Sequence, residues 1–144
     1  MKIFLLTVTI LFIISSIKNT PIMLSKKLYL RKIEKSIESY NKSFDGKTDD
    51  EVNVLKGTAI LISLLFQVFC TIYYVMIGCR FQTALMLLLT ALQIVTIIIT
   101  TKRTLTDKLF SQKIEDCTFY RWYFLFNVVL DYIYYPLTIY MLLK

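Results

Sequence analysis

Four amide and carboxyl side chains lie near the middles of long apolar stretches of this 144-residue chain, and these are the residue types that could support chemistry there. Asp131 is the acid, and the amides are Gln67, Gln93 and Asn127. An acid at the centre of a membrane helix costs about 2.5–3.5 kcal/mol on insertion scales. Such an acid therefore needs either hydrogen-bonding partners or a function, such as the binding of a proton or an ion.

Each of these four residues belongs to a row of polar or small side chains spaced three or four residues apart. This spacing places a row on one face of a helix, and such faces pack against one another in a membrane. The rows are Ser63, Gln67, Thr71, Tyr74 and Gly78; Thr83, Thr90, Gln93, Thr96 and Thr100; and Tyr120, Tyr123, Asn127, Asp131, Tyr134 and Thr138. Because the four residues fall near the middles of their apolar stretches, we predict one buried cluster of Gln67, Gln93, Asn127 and Asp131 at the bilayer midplane. In it, Asp131 should be neutral and hydrogen-bonded.

Other kinds of chemistry are excluded by the residues that the chain lacks. It contains no histidine, so catalytic triads and histidine-ligated metal sites are impossible. It has no glycine-rich phosphate loop, no HExxH and no CxxC, and its three cysteines match no zinc or redox spacing. We therefore expect a protein that is not an enzyme and that binds no cofactor or metal.

The elements that must position these residues are four apolar blocks. Hydrophobic residues make up 56% of the chain and concentrate in residues 3–17, 58–79, 81–101 and 119–143. A helix needs about 20 apolar residues to cross a bilayer, and the first block would extend only about 22 Å before Pro21, which should break the helix. We predict an all-α integral membrane protein whose four transmembrane helices, the first of them short, form a single domain over residues 1–144.

The first block also has the layout of a secretory signal peptide, with Lys2 before an apolar run. The small residues Ser15 and Ser16 would permit cleavage near Ser16. The strongly basic residues that follow favour an uncleaved signal anchor instead, because basic flanks remain on the cytoplasmic side.

Between the first and second blocks, residues 26–44 have the pattern of an amphipathic helix. At 100° per residue, the apolar side chains fall on one side and the basic ones on the other. The apolar face consists of Tyr29, Leu30, Ile33, Ile37, Tyr40 and Phe44. Such a helix suits the surface of an anionic cytoplasmic leaflet, and its alternative role is to dock a partner protein.

The next helix should begin at a capping box formed by Thr48 and Glu51, after Gly46 ends the amphipathic helix. We expect it to continue unbroken through the second block to about Gly78. A tight turn at residues 78–80 would then join the second and third spans as an antiparallel hairpin.

The net charge of +7 is unevenly distributed: nine of the seventeen lysines and arginines lie in residues 18–56 and five in residues 102–121. Positive flanks stay inside, so these segments should be cytoplasmic and both termini external, in the plasma (inner) membrane. Nucleic acid is not an expected partner, because no basic groove with base-stacking aromatics is present. The expected partners are the lipid bilayer and another membrane protein, and a homo-oligomer is a further alternative.

In size, span number and charge layout, the chain resembles the inner-membrane immunity and exclusion proteins encoded by plasmids and phages. That resemblance implies a small interaction protein that binds or inhibits another membrane protein. The alternative is a proton- or ion-conducting protein centred on Asp131.

Overall fold

A computed structural model describes residues 1–106 and 119–144 of the chain. These ranges contain five helices and no strand: α1 (Lys2–Leu24), α2 (Lys26–Phe44), α3 (Asp49–Arg80), α4 (Ala84–Thr106) and α5 (Arg121–Leu143). All but α2 are long and apolar enough to cross a membrane. The predicted all-α class with four candidate spans is therefore confirmed, as expected of an integral membrane protein.

The predicted break at Pro21 is wrong, because α1 continues through this residue to Leu24. Its 23 residues extend about 34 Å, so this helix is no longer short. Side chains next to the proline bond to the helix's own carbonyls: Asn19 donates to the Ser15 carbonyl at 2.9 Å, and Thr20 donates to the Ser16 carbonyl at 2.8 Å. Neither carbonyl is the one that Pro21 leaves without a backbone donor, which is that of Ile17, and membrane helices tolerate the loss of one such bond.

Helix α2 covers the same residues as the predicted amphipathic helix. Ser25 separates it from α1 by a single extended residue and caps it by accepting from the Leu28 amide. At its other end, Gly46 adopts a left-handed conformation with φ of 74°, as predicted for a residue that closes a helix. The cytoplasmic placement of α2 remains a prediction.

Helix α3 begins at the predicted capping box. The Thr48 amide donates to the Glu51 carboxylate at 2.9 Å, and the Thr48 hydroxyl accepts from the Glu51 amide at 3.5 Å. The helix runs unbroken into the second span, as expected. It does not end at Gly78, however, because residues 78–80 are helical and the connection to α4 is formed by residues 81–83.

Three sets of contacts show that neighbouring helices run antiparallel. Gly78 of α3 lies against Thr90 of α4. Gln67, eleven residues earlier on α3, bonds to Thr101, eleven residues later on α4, so the two helices run in opposite directions. The same holds for α4 and α5, where Thr90 meets Tyr134 and Gln93 meets Asp131. Helices α1 and α5 follow this rule as well, through the contacts Phe12–Tyr135 and Ser16–Asp131. The two termini and residues 81–83 therefore lie at one end of the bundle, and the end of α1, the first part of α3, the end of α4 and the start of α5 lie at the other.

The fourth span, α5, starts at Arg121, two residues later than predicted, and its N-cap Tyr120 makes no side-chain capping bond. Thr118, a threonine just before this helix that the sequence favours as its cap, lies outside the described residues. Pro136 is accommodated within α5, which is assigned as one helix to Leu143.

Candidate functional site

The predicted acid lies between three helices. Gln93 Nε2 of α4 donates to Asp131 Oδ1 at 2.9 Å, and Ser16 Oγ of α1 donates to Asp131 Oδ2 at 2.8 Å. Gln93 is only 3% exposed, while Asp131 is half-buried. Each carboxylate oxygen thus accepts one hydrogen bond, and the acid connects α1, α4 and α5.

Ser16 is the member of this site that sequence reasoning missed, because the first block was treated as a plain apolar anchor. A signal for it exists in the spacing of Thr9, Ser16 and Thr20. Steps of seven and four residues place these hydroxyls on one face of α1. All three contact another helix in the structure, since Thr9 bonds to Tyr73, Ser16 to Asp131 and Thr20 to Tyr132.

Gln67 is not part of the site. Its Oε1 accepts from the Thr101 hydroxyl at 2.5 Å, near the basic end of the α3–α4 hairpin. Gln93 lies eight positions earlier on α4, which corresponds to about 12 Å along the axis. The prediction placed Gln67 at the midplane because it took the centre of the apolar block in α3 as the centre of the span. The hairpin register instead puts residues near position 75 of α3 at the level of Gln93.

Asn127 is not part of the site either. Its amide donates to the Tyr123 carbonyl of its own helix at 2.8 Å. The predicted cluster of four therefore separates into a Gln93–Asp131 pair, completed by Ser16, and two amides with other partners.

A layer of tyrosines lies next to this site toward the turn between α3 and α4. The Tyr74 and Tyr135 hydroxyls are 2.6 Å apart, and the Thr9 hydroxyl is 2.7 Å from the Tyr73 hydroxyl. Tyr134 is completely buried and lies 3.3 Å from the Thr90 hydroxyl. Through these contacts the interior is held together by hydrogen bonds between polar side chains as well as by apolar packing.

The apolar face of α2 is turned partly toward the rest of the chain. Five of its six predicted members are half-buried, and Tyr40 is exposed. Tyr29 packs on the rings of Phe119 and Phe124, with centroid distances of 5.3 and 5.1 Å, and Lys56 Nζ lies 5.6 Å from the centre of the Phe44 ring. Thus part of this face contacts protein, while the contact with a lipid surface remains a prediction.

The polar interior is satisfied wherever the structure describes it. Within residues 1–102 and 119–144, every buried side-chain nitrogen or oxygen has a hydrogen-bond partner. In the same ranges, no three histidine, cysteine, aspartate or glutamate side chains come together as metal ligands would. Comparison of the chain with protein-family models, characterised proteins and solved structures gave no match.

Proposed function

We propose that this protein acts by binding another membrane protein, which it inhibits or assembles into a complex. The satisfied polar interior supports this proposal most strongly, because those groups are already paired with one another. Recognition would then take place on the outer surface of the bundle.

The part of α3 before Cys70 is the region of that surface best suited to a partner helix. No α3 residue before Cys70 is buried, although the helix carries large apolar side chains there. Leu61, Leu65 and Phe66 are each between 57% and 60% exposed. The buried residues of α3 lie from Cys70 to Gly78, so the part before Cys70 presents apolar side chains that a helix from another protein could cover.

The proposed orientation has both termini outside the plasma membrane, with residues 18–56 and 102–121 in the cytoplasm. The antiparallel order supports it, because the two segments richest in lysine and arginine approach the same end of the bundle. Basic flanking segments remain inside during membrane insertion.

Photo-crosslinking in the native membrane tests this proposal. A photoreactive residue at Phe66 should form one stoichiometric adduct with a partner, whereas the same residue at Leu88 of α4, 59% exposed, should not. An adduct of twice the 17.0 kDa chain mass would identify a second copy as the partner. Absence of any stoichiometric adduct at Phe66 and its neighbours on α3 would contradict the proposal.

Proton or ion conduction is the second candidate, and the position of Asp131 between three helices favours it. It predicts that Asp131→Asn abolishes flux in proteoliposomes while the protein remains folded. Equal flux in the parent and the variant would rule it out.

A further inference from the structure

A groove of about 720 Å³ lies between the end of α1 and one side of α2. Its position follows from the single extended residue Ser25, which lets α2 turn away from α1 and leaves a wedge between the two helices. Across this wedge, Lys32 Nζ of α2 donates to Asn19 Oδ1 of α1 at 3.3 Å. The groove is therefore bounded by two helices that are joined both by the chain and by a side-chain contact.

The charged side chains that line this groove are all basic. They are Arg31, Lys32 and Lys35, which lie within about one turn of α2. The acids of the same helix, Glu34 and Glu38, are not among the lining residues. Three cations concentrated in one concave site favour an anionic ligand.

The groove also has an apolar side, formed by Ile22 of α1 and Leu28 of α2. Leu11 lies three turns before Ile22, about 20° away around the axis of α1, and is 59% exposed. Between these two residues the same side of α1 carries Ser15 and Lys18, so polar side chains lie between the groove and the apolar surface of this candidate span. A ligand with an anionic group at the groove and an apolar chain alongside the span would match both.

The groove lies next to the point where the apolar block of α1 ends, which is where we expect lipid headgroups. Helix α1 is a candidate span, and the apolar block within it gives way to charge at Lys18, one turn before the residue that lines the groove. The adjoining part of α2 carries the basic side chains. Basic pockets at this level, beside membrane helices, match the anionic headgroups of phospholipids.

We propose that this groove binds one anionic phospholipid. The Arg31 guanidinium can hold two phosphate oxygens at once, and the Lys32 and Lys35 ammonium groups add charge on the same side. The acyl chains would lie on the membrane side of the groove, beside exposed apolar side chains of α1 such as Leu11. This site is independent of the partner-binding proposal, because it uses α1 and α2 rather than the part of α3 before Cys70.

Native mass spectrometry of the full-length protein in detergent, titrated with phosphatidylglycerol or phosphatidylcholine, tests the proposal. The first phosphatidylglycerol should bind more tightly than phosphatidylcholine. The triple variant Arg31→Gln, Lys32→Gln and Lys35→Gln should weaken that first binding step by about tenfold or more. The three side chains are exposed, so circular dichroism of the variant should match that of the parent.

A charge-matched control separates a site from general attraction. Lys26→Gln, Lys27→Gln and Lys47→Gln remove the same three charges outside the groove and should leave the first binding step within about twofold of the parent. Equal losses in the two triple variants would overturn the proposal, as would equal binding of the two lipids. A double variant, Lys32→Arg with Lys35→Arg, should retain the first phosphatidylglycerol, because it keeps both positive charges. Loss of this binding step in the double variant would also contradict a charge-based site.

Competition with inorganic phosphate distinguishes a lipid site from a site for a soluble anion. The lipid proposal requires that millimolar phosphate leave the first phosphatidylglycerol bound, because the acyl chains contribute to its affinity. Full displacement by phosphate would assign the groove to a soluble anion and overturn the proposal.

Discussion

Gln93 Nε2 and Asp131 Oδ1 are 2.9 Å apart, so the amide of α4 donates directly to the carboxylate of α5. The other carboxylate oxygen accepts from Ser16 of α1. The acid, which is costly to place within an apolar helix, thus links three helices through these hydrogen bonds. Because a hydrogen bond between membrane helices contributes only about 0.6 kcal/mol on average, its main effect is to fix which faces of the helices meet.

Replacement of Asp131 by leucine should destabilise the folded bundle by about 1–3 kcal/mol, because Gln93 and Ser16 both lose their acceptor. Asparagine should cost less than about 0.5 kcal/mol, since its oxygen can accept from Gln93 and its amide can donate to the Ser16 hydroxyl. Reversible unfolding in mixed detergent micelles, followed by circular dichroism, measures both values. Equal destabilisation by leucine and asparagine would show that these hydrogen bonds do not hold the helices together.

Asn127→Leu is the matched control, because this amide bonds to the Tyr123 carbonyl of its own helix. Its removal should change stability by less than about 0.5 kcal/mol. A loss as large as that of Asp131→Leu would show that Asn127 takes part in helix association after all.

The Tyr74 and Tyr135 hydroxyls, 2.6 Å apart, should show an energetic coupling between α3 and α5. A double-mutant cycle with Tyr74→Phe and Tyr135→Phe should give about 0.6–1.7 kcal/mol, which is the range measured for polar contacts between membrane helices. Tyr140→Phe, at a position 62% exposed, serves as the control and should be nearly neutral. Strictly additive effects of the two substitutions would contradict a direct hydrogen bond.

Gly78 allows α3 and α4 to approach closely. A Cβ at this position would lie 3.2 Å from Thr90 Cγ2, so Gly78→Leu should destabilise the hairpin by about 1–3 kcal/mol through overpacking. Gly78→Ala should destabilise the hairpin less than leucine does. Adding Thr90→Ser to Gly78→Ala should restore stability, because serine lacks the crowded methyl group and keeps the hydroxyl. Thermal unfolding in detergent measures each effect.

Gly57 provides the comparison for Gly78, since a Cβ there would meet nothing within 4 Å. Gly57→Ala should therefore be neutral or stabilise the protein by up to about 1 kcal/mol through helix propensity. If alanine had the same effect at both positions, close packing at Gly78 would not be the reason for its small side chain.

Local features of this fold could be predicted well from the sequence. The bounds of α2 and the capping box of α3 depend on residues within a few positions of each other, such as Thr48 with Glu51. Pro21 misled the prediction, because a proline removes one backbone hydrogen bond without always ending a helix, and membrane helices tolerate internal prolines.

The polar site could be predicted only in part, because it depends on register between helices. Gln93 and Asp131 meet since both lie deep within their spans. Gln67 does not join them, because the apolar block of α3 extends beyond the part of α3 that pairs with the apolar block of α4. The centre of the α3 block therefore lies at a different level from Gln93. The turn at residues 81–83 sets this offset, and apolar periodicity carries no information about it.

The proposed orientation predicts which side of the membrane each cysteine label reaches. Cys79 is exposed and lies near the turn at residues 81–83, whereas Cys70 is buried. In intact cells, with Cys70 and Cys117 replaced by serine, an impermeant maleimide should label Cys79 from outside. In the control, Asn53→Cys in a chain without other cysteines, the exposed thiol at the start of α3 should react only after the membrane is permeabilised. The reverse pattern would invert the topology and place the lysine-rich segments outside, against the charge asymmetry on which the orientation is based.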